Sequence, residues 1–182
     1  EGITAAPTPW TDHVEDASGL LAYPLVLPVV SWGYHRDHAR WVQGCETWTA
    51  AGVRLANPAS VLRWNSDKTY LGRLAERGIA IPQTLWRMDV TPSDLDAAFQ
   101  QTAAETLIVK PTVSGGAWRT LKIARGGTPA DLPGGSVMIQ PFLSTIQTEG
   151  ETSMLFFGGR FSHADAQNRH AVDFAVPEGT PV

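Results

Sequence analysis

Two lysines and a glycine loop carry the first chemical signal in this chain of 182 residues. The run TLIVKPTVSGGAWRTLK, residues 106–122, opens with Leu107, Ile108 and Val109, an apolar β-rich stretch that predicts a buried strand. That strand delivers Lys110 to its end. Pro111 has no N–H to donate and prevents simple continuation of the ladder. Ser114, Gly115, Gly116 and Ala117 form a small-residue loop, and a second strand-like run follows from Trp118. A cation on a rigid strand, followed by glycines that let backbone N–H groups approach a ligand, is suited to gripping a polyphosphate. The same glycine pair is equally readable as a hairpin turn. No Gly-Lys-Ser/Thr triplet follows the loop, which argues against a P-loop nucleotidase. A second cation, Lys68 in WNSDK, falls in the first turn of an expected helix, where the macrodipole does not help it. An exposed lysine is the ordinary explanation there. Upstream, Trp32, Tyr34 and His35 lie in an aromatic loop expected at the C-terminal end of a strand, the edge where ligands gather in open α/β sheets. His35 and His38 have the spacing of a helical metal pair, without a third ligand nearby. Cys45 reads as a small core residue.

Elements must position these groups, and the pattern supplies them in order. Residues 1–18 read as a polar loop and residues 23–30, YPLVLPVV, as a buried strand with prolines at its start or at an irregularity. Residues 36–51 predict a helix stopped by Gly52, residues 53–56 a short strand, and Asn57-Pro58 a turn. That is a strand–helix–strand unit of a parallel sheet. Residues 60–64 predict a short helix, and residues 67–77 another, capped by Asn65 or Ser66 and closed by Gly78. A strand over 81–86 and a helix over 92–104, with Thr91 as cap and Pro92 at its first position, precede the glycine-loop hairpin. The buried strand 136–140 runs into Gln140-Pro141-Phe142-Leu143, and an acidic turn at Gly150-Glu151 leads to strands over 152–157 and 160–164 around Gly158-Gly159.

Composition narrows the class. With 43% hydrophobic and 18% charged residues, the chain suits one globular domain of ordinary size or two small ones. A net charge of −4 and the lack of a lysine- or arginine-rich block argue against a nucleic-acid phosphate backbone as partner. The single cysteine cannot form an internal disulfide and fits a reducing, cytoplasmic compartment. The longest apolar run, residues 20–30, is broken by Pro24 and Pro28 and is too short to span a bilayer. No signal-peptide pattern is visible and no initiator Met stands first, so the chain is expected to be part of a longer product.

Taken together, WNSDK, IVKP, the SGGA loop, the strand ending in QPFL, Gly-Glu before a strand, and FFGGRFSHA resemble the ATP-grasp superfamily, in the branch nearest glutathione synthetase and the cycloserine-forming cyclo-ligase. The segment from LVLPVVSWGYHRD to LANP resembles the substrate-side domain that precedes the ATP-grasp fold in those ligases. The resemblance implies an α/β protein: a partial Rossmann-like parallel-sheet substrate domain over 1–58, an ATP-grasp N-subdomain over 59–139, and an incomplete C-subdomain over 140–182. It also implies ATP and Mg²⁺ as cofactors. Lys68 and Lys110 match the lysines that contact the nucleotide phosphates, Lys110 being also close to the adenine. Ser114, Gly115, Gly116 and Ala117 match the loop that closes over the terminal phosphates. Gln140, Pro141, Phe142 and Leu143 match the linker that reads the adenine edge, and Glu151 matches the acidic residue on the ribose hydroxyls. Trp32, Tyr34 and His35 are expected to face substrate.

Family members phosphorylate a carboxylate with ATP and let an amine attack the acyl phosphate. The implied partners are a small-molecule carboxylate and amine, with no nucleic acid and no membrane; a homodimer is common among the relatives it resembles. One departure stands out. The carboxylate-rich strand pair that holds Mg²⁺ in such ligases has no clear counterpart: the tail offers Asp165, Asp173 and Glu178 but no apolar strand leading to an acidic pair and an Asn. Either segments are omitted, the favoured expectation, or the chain is a nucleotide-binding protein that has lost its metal site; a scaffold keeping only the fold is a third reading.

Overall fold

The computed structural model describes residues 2–29, 31–127, 129 and 131–167, and the chain divides into two compact units. The first comprises residues 1–81 together with 112–116; the second comprises 82–111 and 117–182.

The first unit is built around tryptophan. Helix α1, His38–Ala50, starts at Asp37, whose carboxylate accepts from the Arg40 N–H and so caps the turn. Trp41, Gly44, Cys45 and Trp48 recur at helical spacing and are the buried face of α1. Gly44 lets the Trp48 ring lie against the helix, since a Cβ there would come within 3.2 Å of the indole. Trp41 stands edge-on to Trp10 and Trp48, at 5.2 and 5.6 Å between centroids. Ala17, Leu20, Ala59 and Leu62 complete this core, the last two from helix α2, Ala59–Asn65. Helix α3, Tyr70–Glu76, is shorter than the expected 67–77; Lys68 precedes it in a turn and is not in its first turn.

Two expectations change here. The polar N-terminal loop contains two 3-10 turns, Trp10–His13 and Ser18–Ala22, and contributes Val14, which is completely buried. The His13 carbonyl also accepts the Trp48 indole N–H at 2.7 Å. The expected buried strand over 23–30 is not formed. Among the described residues its pairing is one parallel bridge, Val26 to Leu55, and Leu25, Leu27 and Val29 are exposed. Pro24 and Pro28 flank Val26 and remove the neighbouring N–H donors, so the ladder cannot extend in either direction. The direction of pairing is parallel, as expected, but a Rossmann-like sheet is not present among the described residues.

The second unit is an antiparallel sheet of four strands in the order β1-β4-β2-β3. These are β1 Leu85–Met88, β2 Thr106–Pro111, β3 Leu121–Ala124 and β4 Ser136–Pro141. Strands β1 and β3 start later than expected. Residues before Leu85 include Pro82, and Ala117 and Arg119 hold positive φ in the turn before β3. Helix α4, Pro92–Thr102, has a full capping box in which Thr91 and Asp94 satisfy each other's backbone N–H groups. Its Leu95, Ala98 and Phe99 pack with Leu107, Val109, Ile123, Val137 and Ile139 in one core.

The period of two along each strand then decides what lies on the opposite face. Cα partners Ile108–Gln140, Lys110–Met138 and Ile108–Lys122 share a side, so Lys110, Lys122 and Gln140 point away from the α4 core. A short helix α5, Thr145–Thr148, precedes the hairpin of β5 Glu151–Phe157 and β6 Arg160–Gln167. Gly158 and Gly159 both have positive φ, the conformation a tight two-residue hairpin turn requires. No described helix is long and apolar enough to cross a membrane.

Candidate functional site

In the first unit the predicted residues converge on Ser114. The chain enters this segment from Lys110 and Pro111, and the Thr112 carbonyl accepts the Lys68 backbone N–H at 2.9 Å. The Lys68 ammonium donates to the Ser114 carbonyl oxygen at 2.6 Å and to its hydroxyl at 3.1 Å. The Tyr34 phenol donates to the same carbonyl at 3.3 Å. Gly115 leaves room for the His35 ring: a Cβ there would approach His35 Nδ1 to 3.0 Å, so the ring would have to shift. Gly116 adopts φ +60°, accessible to glycine without strain. Burial, then the charges of Arg36 and Lys68, push the His35 pKa below its ordinary value, so the imidazole is neutral at pH 7. Trp32 is different. Its side chain is exposed, and only its carbonyl is engaged, accepting the Trp10 indole N–H at 2.9 Å.

The turn that presents Lys68 has a support absent from the sequence reading. The Ser66 hydroxyl donates to the Arg63 carbonyl at 2.8 Å, and the His38 Nε2 lies 2.9 Å from the same hydroxyl oxygen. A hydroxyl has one hydrogen to give, so His38 Nε2 is the donor in that second bond. His38 is thereby a strut for the Lys68 turn. Among the described residues no cluster of three or more His, Cys, Asp or Glu side chains is placed to hold a metal.

In the second unit, Lys110 sits half-buried at the end of β2, and burial lowers its pKa while the Glu151 charge partly raises it again. Glu151 is the first residue of β5 and is exposed. Gln140 is 8% exposed, and its side-chain amide donates to the Thr84 hydroxyl at 2.9 Å. This bond fixes the end of β4, where Pro141 is the last strand residue and Phe142 and Leu143 leave the sheet. The Phe142 backbone N–H donates to the Thr106 carbonyl at 2.9 Å, and the Lys122 ammonium lies 3.8 Å from the centre of its ring. Lys122 is a cation the sequence reading missed; the alternation along β3, which places it beside Ile108, was the available signal. Ala117 holds φ +61° and its carbonyl accepts the Thr120 N–H, closing the turn before β3.

Each unit thus holds one of the two predicted lysines: Lys68 on Ser114 in the first, Lys110 at the end of β2 in the second. Dispersed negative charge is what such donors stabilise.

No family model matches the sequence. The cycloserine biosynthesis protein DcsG of Streptomyces lavendulae is 30% identical over an alignment of 190 positions that takes in 98% of this chain and 61% of that protein. The crystal structure of the D-cycloserine synthetase DcsG superposes with a TM-score of 0.70 at 25% identity, over 90% of this chain and 57% of that one. The likeness to DcsG extends over nearly the whole of this chain and agrees with the resemblance to ATP-grasp ligases drawn from the sequence. The chain spans about three-fifths of the length of the curated relative it matches. Weaker likenesses extend to the ATP-grasp ligase PsnB complexed with minimal precursor, at 20% identity and a TM-score of 0.42 over 65% of this chain and 44% of that one. D-Alanine-D-alanine ligase from Helicobacter pylori has 16% identity and a TM-score of 0.49 over 86% and 49%.

Proposed function

We propose that this chain is part of an ATP-dependent ligase that joins a carboxylate to an amine, with a small amino-acid-like substrate that it couples or cyclises. The observation that carries the reading is Lys110. A lysine held half-buried at a strand end, with burial pushing its pKa down, is retained against its desolvation cost. A polyanionic ligand supplies the reason.

In this reading a carboxylate oxygen attacks the terminal phosphorus of ATP, the bond to the bridging oxygen breaks, and ADP leaves. The amine nitrogen then attacks the acyl carbon, the C–O bond breaks, inorganic phosphate departs, and the nitrogen loses its proton. Lys68 and Lys110 hold the phosphates, while residues 114–117 bring backbone N–H groups and exclude water. Gln140, Pro141, Phe142 and Leu143 take the adenine, Glu151 the ribose, and Trp32, Tyr34 and His35 the substrate. The neutral His35 imidazole is suited to accept a proton from an incoming ammonium.

Mg²⁺ belongs to this proposal as a cofactor, but the described residues do not assemble a donor set for it, and no step is assigned to it. Asp165 lies on β6, opposite Ser153; Asp173 and Glu178 lie outside the described residues. The subdomain divisions after residues 58 and 139, a cytoplasmic location and a homodimer complete the reading.

Calorimetric titration with ATP, with and without Mg²⁺, tests it. Binding strengthened by Mg²⁺ and abolished in Lys110→Ala is expected. Binding indifferent to Mg²⁺ points instead to a nucleotide binder without a metal site. Unchanged affinity in a folded Lys110→Ala variant removes Lys110 from the site.

A further inference from the structure

The Ser114 carbonyl is 3.3 Å from the Tyr34 phenol and 2.6 Å from the Lys68 ammonium, so both of its lone pairs are used. Ser114 is only 6% exposed, leaving little access for water to replace either donor. Tyr34 is itself held. Its ring packs on Trp41 at 5.6 Å and stands edge-on to His35 at 5.7 Å, and His35 closes against Gly115. Burial keeps the phenol protonated well above neutral pH, so it remains a donor.

We propose that Tyr34 is a positioning residue for the glycine loop, keeping the Ser114 carbonyl paired when phosphate oxygens draw the Lys68 ammonium away. The inference rests on the reading of Lys68 as a phosphate-binding cation. Its physical basis is an asymmetry: a buried carbonyl stripped of its last donor is costly, whereas one of two donors can leave at modest cost. Tyr34 therefore lets Lys68 change partners without unpairing the loop. Because Tyr34 adjoins His35, the same contact links the conformation of residues 112–116 to whatever occupies the aromatic segment.

The test compares wild type with Tyr34→Phe, which preserves the ring packing. ATP and adenosine are each titrated, and amide hydrogen exchange over residues 112–116 is followed without nucleotide. The variant is expected to exchange faster in that segment and to bind ATP about 5- to 10-fold more weakly, with adenosine affinity unchanged. Equal losses for ATP and adenosine indicate general damage and overturn the proposal. So does wild-type exchange together with wild-type ATP affinity, which leaves the nucleotide reading intact. A wild-type chain that binds adenosine but not ATP overturns the phosphate role of Lys68, and this inference with it.

Discussion

Lys110 is placed where its charge is disfavoured, and this has a pH signature. Its pKa in the fold lies below the ordinary 10.5, burial outweighing the attraction of Glu151. Between the two values the unfolded chain holds the proton more tightly, so stability rises with pH across that window, and the penalty is fully present below it. Lys110→Met is expected to stabilise the ligand-free chain at neutral pH, since it removes a desolvated charge. It should also flatten the alkaline rise in urea-unfolding midpoints and lose nucleotide binding. A variant that is destabilised, or keeps the rise, contradicts this account. Cys45 offers a second check at this scale. Its thiol is 2% exposed and pushed up to about 11 by burial. A thiol reagent at pH 7 should leave the native chain unmodified and label it at once in denaturant; rapid native labelling would show that this core opens readily.

Helix α4 shows how far local chemistry determines an element. Asp94 accepts from Thr91 and from the Arg87 guanidinium, at 2.6 Å for the latter, and these bonds hold its pKa below the usual carboxylate value. Its stabilisation is present above about pH 4, the unfolded value, and is lost as pH falls through the folded one. Thr91→Ala should cost about 1 kcal/mol by denaturant unfolding, and Asp94→Asn should weaken the acid dependence. An unshifted midpoint for Thr91→Ala would mean the cap is not a stability determinant. This helix was legible because a cap residue, a proline at the first position and a helical apolar period agree within a dozen residues; the reciprocal bond from Asp94 was not read. The strand expected at residues 23–30 was misread because its apolar content was weighed above Pro24 and Pro28, which limit the backbone to one bridge at Val26. The core role of Val14 was hidden in polar surroundings, in a segment tied to Trp48, far along the chain, through the neighbouring His13 carbonyl.

At the scale of the molecule, the order of the lysines, the glycine loop and the QPFL linker was readable because each is contiguous. The neighbour order β1-β4-β2-β3 was not, since strand order is set by contacts between distant segments. The Tyr34–Ser114 bond escaped for the same reason, its partners being 80 residues apart. Site and stability meet in a ligand effect. If the nucleotide binds the folded chain alone, ATP at a hundredfold excess over its Kd should stabilise by about 2.7 kcal/mol. That corresponds to roughly 5–10 °C in the thermal midpoint. Lys110→Met should show no such shift, and an equal shift in both proteins would detach the nucleotide from β2.

The tryptophan stack has an optical consequence. Trp10, Trp41 and Trp48 are held edge-on with centroids 5.2 and 5.6 Å apart, close enough for their indole transitions to couple. A fixed, chiral arrangement of coupled chromophores gives circular dichroism that independent rings do not. Trp86 and Trp118 belong to the other unit, so the coupled signal acts as a spectral label for the first unit alone. Its disappearance on Trp41→Phe, and its loss or persistence during unfolding, would let the two cores be followed separately without attaching a probe.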